Sequence, residues 1–239
     1  MMEADRIRLD RVAKSFTMHL RGGVRLAVVE NVSFAVRPGE CVVLGGPSGI
    51  GKSSILKMIY GNYRTGAGRV LVREDAGGWT DVAGAMPRRI LELRRTTIGY
   101  VSQFLRAIPR VTARDLVTSA GRPTCDNLAT AHARACSLLA RLNVPERLWD
   151  LAPATFSGGE QQRINIACGF AAARPVMLLD EPTASLDEVN RAVVIDLIEE
   201  CKRNGSAVIG IFHDDDVRAH LADRVIDVAR FQPQDDRHG

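Results

Sequence analysis

The residues with the clearest capacity for chemistry lie in one glycine-rich segment. Residues 46–53 match the pattern GxxxxGK(S/T), in which backbone N–H groups surround phosphate oxygens at the start of a helix. We expect Lys52 to place its ammonium between the β- and γ-phosphates and Ser53 to offer its hydroxyl to Mg²⁺. A glycine-rich turn with an incidental lysine is the alternative, but an apolar segment precedes the loop and a helical segment follows it. The residues predicted to bind the nucleotide phosphates are Gly46, Pro47, Ser48, Gly49, Ile50, Gly51, Lys52, Ser53 and Ser54.

Two adjacent carboxylates could supply the metal ligand and the base for hydrolysis. Asp180 and Glu181 directly follow the apolar run at residues 176–179, which is typical of a strand buried on both faces. Ligands of open α/β sheets bind at the carboxyl ends of such strands. We therefore expect Asp180 to hold Mg²⁺ and Glu181 to polarise the attacking water as general base. A solvated acidic turn is the alternative.

A second candidate anion site lies at residues 156–163. Ser157, Gly158 and Gly159 open a predicted helix, where a hydroxyl, backbone N–H groups and the positive end of the helix dipole come together. The segment resembles the signature motif of ABC ATPases, which is usually Leu-Ser-Gly-Gly-Gln. Phe156 and Glu160 are departures at the two ends of the motif, and its Ser-Gly-Gly centre is intact.

The ABC resemblance implies roles for further residues. Gln103 is similar to the glutamine that reaches Mg²⁺ and the attacking water, and His213 to the switch histidine that contacts the γ-phosphate. Asp187 falls in the segment similar to the D-loop, and Phe16 occupies the position of an aromatic ring that stacks on adenine. Taken alone, His213 would be a strand-end residue and Phe16 a core residue.

The same resemblance implies that two chains form each ATP site. The signature residues of one chain would cap ATP held by the phosphate loop of another, in a homodimer or in a pair with a second ABC subunit. Under this hypothesis a monomer binds ATP weakly and hydrolyses it poorly. The residues expected to act in this way, in trans, are Ser157, Gly158, Gly159 and Glu160.

Apolar runs alternate with helical patterns along the chain. This order predicts an α/β fold with a doubly wound, mainly parallel sheet, and the resemblance implies a P-loop NTPase of the ABC type with an N-terminal antiparallel β subdomain. Strands are predicted at residues 7–9, 32–36, 41–44, 98–101, 176–179, 207–212 and 225–228. Helices are predicted at residues 52–60, 126–142, 160–173 and 188–203, with Asp126 as a helix cap.

The chain is predicted to form a single domain over residues 1–239. Residues 1–86 and 154–230 form the ATP-binding core, residues 87–153 an inserted helical subdomain, and residues 231–239 a polar tail. The 239 residues, 46% of them hydrophobic, are sufficient for a packed core.

Composition excludes some classes of function. The net charge of +4 is spread along the chain, which argues against nucleic acid as a partner. The five cysteines form no CxxC pair, which indicates free thiols in a reducing cytosol. Neither a signal peptide nor a run of about 20 apolar residues is visible, so we expect a cytoplasmic protein without direct membrane insertion.

Three longer segments, at residues 96–106, 142–153 and 211–214, resemble the L subunit of the bacterial phosphonate C–P lyase system. That resemblance implies phosphonate catabolism with the other C–P lyase subunits, in which ATP and a phosphonate give ribose 1-methylphosphonate 5-triphosphate. The alternative is the ATPase motor of a membrane exporter of the lipoprotein-releasing type. The surfaces at residues 103–110 and 146–149 would discriminate between them. One departure from the ABC pattern is Cys168, where many members carry arginine.

Overall fold

Two sheets organise the chain. The computed structural model describes residues 5–18, 23–75, 77–105 and 108–233. One sheet is antiparallel in the order β2-β1-β4-β5, and the other is parallel in the order β6-β7-β8-β3-β9. The strands are β1 (Ile7–Met18), β2 (Val24–Val36), β3 (Cys41–Gly45), β4 (Ala67–Arg73), β5 (Trp79–Asp81), β6 (Ile98–Val101), β7 (Val176–Asp180), β8 (Ala207–Ile211) and β9 (Arg224–Asp227).

The central strands of the parallel sheet are buried on both faces, and every residue of β7 and β8 is buried. Leu179 and Val43 point into a core shared with the later helices. Leu178 and Val42 point into a second core, shared with the first helix and the antiparallel sheet. Since successive side chains of a strand point to opposite faces, a continuous apolar run is what such a sheet requires. The predicted doubly wound parallel sheet and the N-terminal antiparallel sheet are confirmed.

Seven α-helices cover the sheets within the described residues. Five of them begin at a residue whose side chain accepts a hydrogen bond from a backbone N–H of the first turn: Thr112 for α3, Asn127 for α4, Ser157 for α5, Asp187 for α6 and Asp214 for α7. The predicted cap Asp126 is wrong by one residue, because the side chain that caps Thr130 belongs to Asn127. The helices are α1 (Lys52–Ile59), α2 (Pro87–Thr96), α3 (Ala113–Gly121), α4 (Leu128–Arg141), α5 (Gly158–Phe170), α6 (Glu188–Arg203) and α7 (Asp215–Leu221).

The inserted region differs from the predicted one. Strand β6 pairs with β7, and Leu93 of α2 packs in the core that contains α1, so this strand and helix belong to the ATP-binding core. The helices α3, α4 and α5 instead share the core on the opposite face of the sheet. The predicted helical subdomain at residues 87–153 therefore includes one helix and one strand of the core. Most of the predicted tail, at residues 234–239, lies outside the described residues.

No helix in the described part of the chain is both long enough and apolar enough to cross a membrane.

Candidate functional site

The glycine-rich loop joins β3 to α1 in a conformation that only glycines adopt easily. Gly46, Gly49 and Gly51 have φ angles of 117°, 79° and 106°, in the region that L side chains rarely adopt. A Cβ on Gly51 would also lie 2.8 Å from a methyl of Val29 and 2.9 Å from a methyl of Val28. The loop is thus fixed by both backbone angle and packing, with α1 starting at the next residue.

The side chain of Lys52 is hydrogen-bonded to the backbone of the glycine-rich loop. Its Nζ donates to the carbonyl oxygens of Gly46 at 2.7 Å and Pro47 at 2.8 Å. These are neutral acceptors that stand in for the phosphate oxygens that the ammonium is predicted to bind. Exchanging them for phosphate oxygens would strengthen the interaction, because hydrogen bonds between ionised groups are about twice as strong as neutral ones.

Asp180 ends β7 beside this loop and is only 3% exposed. Its Oδ1 accepts a hydrogen bond from the Ser53 hydroxyl at 2.8 Å, and its Oδ2 accepts one from the Tyr100 hydroxyl at 3.0 Å. A hydroxyl and a carboxylate oxygen in contact, next to a phosphate-binding loop, form the hard-oxygen donor set that Mg²⁺ prefers. Of the three residues predicted as metal ligands, Ser53 and Asp180 therefore fit the ion, whereas the side-chain amide of Gln103 donates to Glu181.

Glu181 is held by two of the residues expected to act with it. Its Oε1 lies 2.7 Å from Nε2 of His213, and its Oε2 accepts a hydrogen bond from Nε2 of Gln103 at 3.2 Å. Its backbone has a φ of 56°, an uncommon conformation for a residue with a side chain, and its N–H donates to the carbonyl of Ile211. Two of the predicted catalytic residues, Gln103 and His213, thus contact the third, Glu181.

One cleft of about 360 Å³ connects these groups with the predicted adenine site. It is lined by the phosphate loop, Glu181, His213, Phe16 and two apolar side chains of β2, Leu26 and Val28. The Phe16 ring packs edge-on against Tyr63 with 5.3 Å between centroids. The cleft therefore has a polar end for phosphates and an apolar end with an aromatic ring, the arrangement that a nucleotide needs.

The signature residues are not among those that line this cleft. Ser157 and Gly158 are exposed, and Gly158 lines a separate groove with Gln103 and Ser185. Ser157 and Glu160 form a capping box, in which the Ser157 N–H donates to the Glu160 carboxylate at 2.9 Å. Hydrogen bonds from the Ser157 hydroxyl and then from its backbone N–H lower the pKa of Glu160.

Asp187 also has a structural contact. Its Oδ1 accepts hydrogen bonds from the backbone N–H and the side-chain amide of Asn190, both at 2.8 Å, and these lower its pKa. The residue thus caps α6.

Two contacts near the cleft were not predicted. The Tyr100 hydroxyl contacts Asp180, and Arg191 of α6 forms an ion pair with Asp214 at 2.6 Å. The contact of Tyr100 with Asp180 could have been predicted, because β6 and β7 are parallel and their carboxyl ends meet at one edge of the sheet. No spacing in the sequence signals the pair of Arg191 with Asp214, which depends on the packing of two helices.

The fold and this site define the class of protein: an ATP-hydrolysing ABC cassette. The chain belongs to the ABC transporter family, whose model matches residues 29–184. The structure aligns with a dimeric post-hydrolysis state of the ATP-binding cassette MJ0796 bound to ADP and Pi, with a TM-score of 0.80, 26% identity and coverage of 98% of this chain and 99% of that one. These likenesses establish the ABC cassette fold and ATPase activity.

Among curated proteins, the lipoprotein-releasing system ATP-binding protein LolD of Novosphingobium aromaticivorans is 35% identical over 226 residues, covering 92% of this chain and 94% of LolD. The macrolide export ATP-binding/permease protein MacB of Marinobacter nauticus is 34% identical over 223 residues. That match covers 93% of this chain and 33% of MacB, so the chain spans about a third of the length of this relative.

Proposed function

We propose that this chain is the ATPase subunit of a membrane exporter, of the type represented by the lipoprotein-releasing and macrolide-export proteins. The observation that carries the proposal is the end-to-end match to LolD, which covers 94% of that protein at 35% identity. The match to MacB points the same way, because the aligned part is a third of a protein whose name includes a permease. A separate membrane partner would supply the corresponding part here.

The relatives favour this function over the C–P lyase function that three sequence segments indicated. The named matches are an ATP-binding protein of a lipoprotein-releasing system and a macrolide exporter, and neither is a phosphonate-metabolism protein. What supports the C–P lyase alternative is the sequence resemblance alone. We therefore keep the C–P lyase partners as one outcome of the test below.

Two surfaces were expected to discriminate between these functions, and they differ in exposure. Phe104 is 73% exposed and Ile108 57% exposed, so both present apolar side chains to solvent. At residues 146–149, Leu148 and Trp149 instead pack inward, and the Trp149 indole N–H donates to the carbonyl of Val144 at 2.9 Å. The exposure of Phe104 and Ile108 supports docking of a permease at these two residues on the cytoplasmic side.

The proposed reaction is hydrolysis of ATP at a site completed by a second cassette. Phe16 stacks on adenine, the phosphate loop and Lys52 bind the phosphates, and Glu181 accepts a proton from the attacking water. Gln103 and His213 orient Glu181 and the γ-phosphate. Ser53, Asp180 and Gln103 would hold Mg²⁺, which would supply positive charge beside the phosphates. The signature serine and glycines, with Glu160 behind them, close the site from the partner cassette, and Asp187 lies beside that junction.

The test is affinity purification of the tagged full-length chain, with identification of the proteins recovered from membrane and cytosolic fractions. The experiment compares the wild type with Phe104→Asp, and with Met86→Asp as the matched control, since Met86 is 75% exposed at the start of α2. We expect an integral membrane permease to be recovered with the wild type and the control and to be lost with Phe104→Asp. Recovery of phosphonate-metabolism subunits from the cytosol, without a permease, would overturn the exporter proposal and leave the ATPase activity standing.

A further inference from the structure

Arg174, between α5 and β7, is a buried cation without a counter-ion among the described residues. The residue is 7% exposed, and its Nη1 is fully buried without a hydrogen-bond partner. No ion pair or side-chain hydrogen bond of its guanidinium occurs in the described part of the chain, and burial lowers its pKa. A buried charge costs several kcal/mol unless it is paired.

Four other arginines have one buried nitrogen without a hydrogen-bond partner. Arg6, Arg114 and Arg191 also have one buried nitrogen without a partner, but each forms an ion pair with a carboxylate. Their partners are Asp75, Asp150 and Asp214. Arg163 also has a buried nitrogen without a partner and no ion pair in the described part of the chain, but its side chain is only partly buried. Arg174 is therefore the fully buried member of this group, and it has no carboxylate partner among the described residues.

Arg174 lines a pocket of about 280 Å³ at the outer edge of β6, enclosed by α2, α3 and the end of α5. Arg94 and Arg95 of α2 line the same pocket, and its described lining contains no aspartate or glutamate. Arg94 is already held by the Tyr60 carbonyl at 3.0 Å and the Asn62 side chain at 2.8 Å. The positive charge of the pocket therefore exceeds what its own walls can neutralise.

We propose that this pocket binds a small oxyanion, a phosphate or carboxylate group, on the guanidinium of Arg174 with Arg95 at the rim. A planar guanidinium presents paired N–H donors that match two oxygens of such a group. The volume is sufficient, since one water molecule occupies about 30 Å³ of liquid. Tyr100 lines this pocket and its hydroxyl also donates to Asp180, so an anion here would lie next to a residue that contacts a predicted metal ligand. The proposal is independent of the exporter function.

The experiment measures thermal stability and binding heat of the full-length protein during titration with sodium phosphate or sodium acetate at constant ionic strength. Saturating Mg²⁺ and a non-hydrolysable ATP analogue keep the nucleotide phosphate positions filled, so that anions cannot bind there. The variants are Arg174→Gln, Arg95→Gln and, as a charge-matched control, Arg203→Gln, since Arg203 is exposed at the end of α6.

We expect saturable binding of at least one of the two anions to the wild type and to Arg203→Gln. Arg174→Gln should weaken it by about 10- to 100-fold, the loss expected for a hydrogen bond between charged groups. Arg95→Gln should weaken it less, and this variant keeps the test available if Arg174→Gln does not fold. Absence of saturable binding to the wild type, or equal binding to the wild type, Arg174→Gln and Arg95→Gln, would overturn the proposal.

Discussion

The ATP cleft and the signature segment differ in how much of their chemistry a single chain assembles. In the cleft, Ser53 contacts Asp180, and Glu181 contacts both Gln103 and His213, across four separate elements. In the signature segment, the described hydrogen bonds of the Ser157 side chain are those of the capping box with Glu160. The cleft is assembled by the fold of one chain, whereas Ser157 and Gly158 are exposed and are not among the described residues that line it.

This difference has a physical origin. The cleft residues lie at the carboxyl ends of parallel strands, which any doubly wound sheet brings to one edge. The signature residues lie at the start of α5, and the described residues of the cleft do not include them. An exposed helix start that offers backbone N–H groups is suited to bind an anion from outside the chain. The comparison therefore predicts that substitutions in the cleft impair the ATP site of the same chain, whereas substitutions in the signature segment impair hydrolysis of the ATP bound by a second chain.

The largest effect is expected for Glu181→Gln, which removes the base and keeps the shape of the cleft. Loss of a general base lowers turnover by about 10²- to 10⁴-fold, whereas ATP binding should remain. The measurement is steady-state ATP hydrolysis beside nucleotide affinity, with Glu188→Gln as control because Glu188 is exposed at the start of α6. Full activity of Glu181→Gln would exclude Glu181 as the base.

Lys52→Ala should act on binding instead of turnover. Removing an ammonium that reaches the phosphates is expected to weaken ATP binding by about 10- to 100-fold, since hydrogen bonds to charged groups contribute about 1.5–3 kcal/mol. Calorimetric titration with ATP measures this change. Lys57→Ala is the control, because Lys57 lies on the same helix and its Nζ faces the Tyr63 ring. Unchanged affinity of Lys52→Ala would contradict the proposed role of Lys52.

A mixing experiment sharpens the comparison between the two regions. Ser157→Ala should leave ATP binding intact and lower hydrolysis, because the altered serine acts on the ATP of a second chain. Mixed with Lys52→Ala, it should recover activity above either variant alone, since one site then combines an intact phosphate loop with an intact signature. Thr155→Ala, at an exposed neighbouring position, should hydrolyse ATP normally. Activity of the mixture no higher than the sum of its parts would argue against a composite site.

The role of a site residue could be predicted from the sequence where it depends on residues next to it in the chain. It could not be predicted where it depends on contacts between distant segments. The phosphate loop and the two acids at the end of β7 were predictable, because their backbone requirements appear as contiguous patterns of glycine, lysine and carboxylate. A role for Gln103 beside Mg²⁺ and the attacking water was expected from resemblance, whereas its contact with Glu181, 78 residues away, was not predicted. The assignment of α2 to the core could not be predicted, because the amphipathic pattern of a helix does not specify which sheet it packs on.

The smallest effect concerns the cap of the signature helix and its dependence on pH. The hydrogen bonds from Ser157 lower the folded-state pKa of Glu160 below its ordinary value of 4.5. The stability that these bonds contribute is therefore present above pH 4.5 and is lost as the pH falls through the lower, folded-state pKa. The unfolding temperatures of the wild type and Glu160→Gln should thus differ most near neutral pH and converge in acid. The reason is that the neutral amide of the variant cannot gain the stabilisation that the ionised carboxylate gains from Ser157. Glu146→Gln, at an exposed position, is the control for the loss of a surface carboxylate elsewhere. A difference in unfolding temperature that widens as the pH falls would have the wrong sign for a carboxylate stabilised by the start of its own helix. It would mean that the capping box does not stabilise the signature segment.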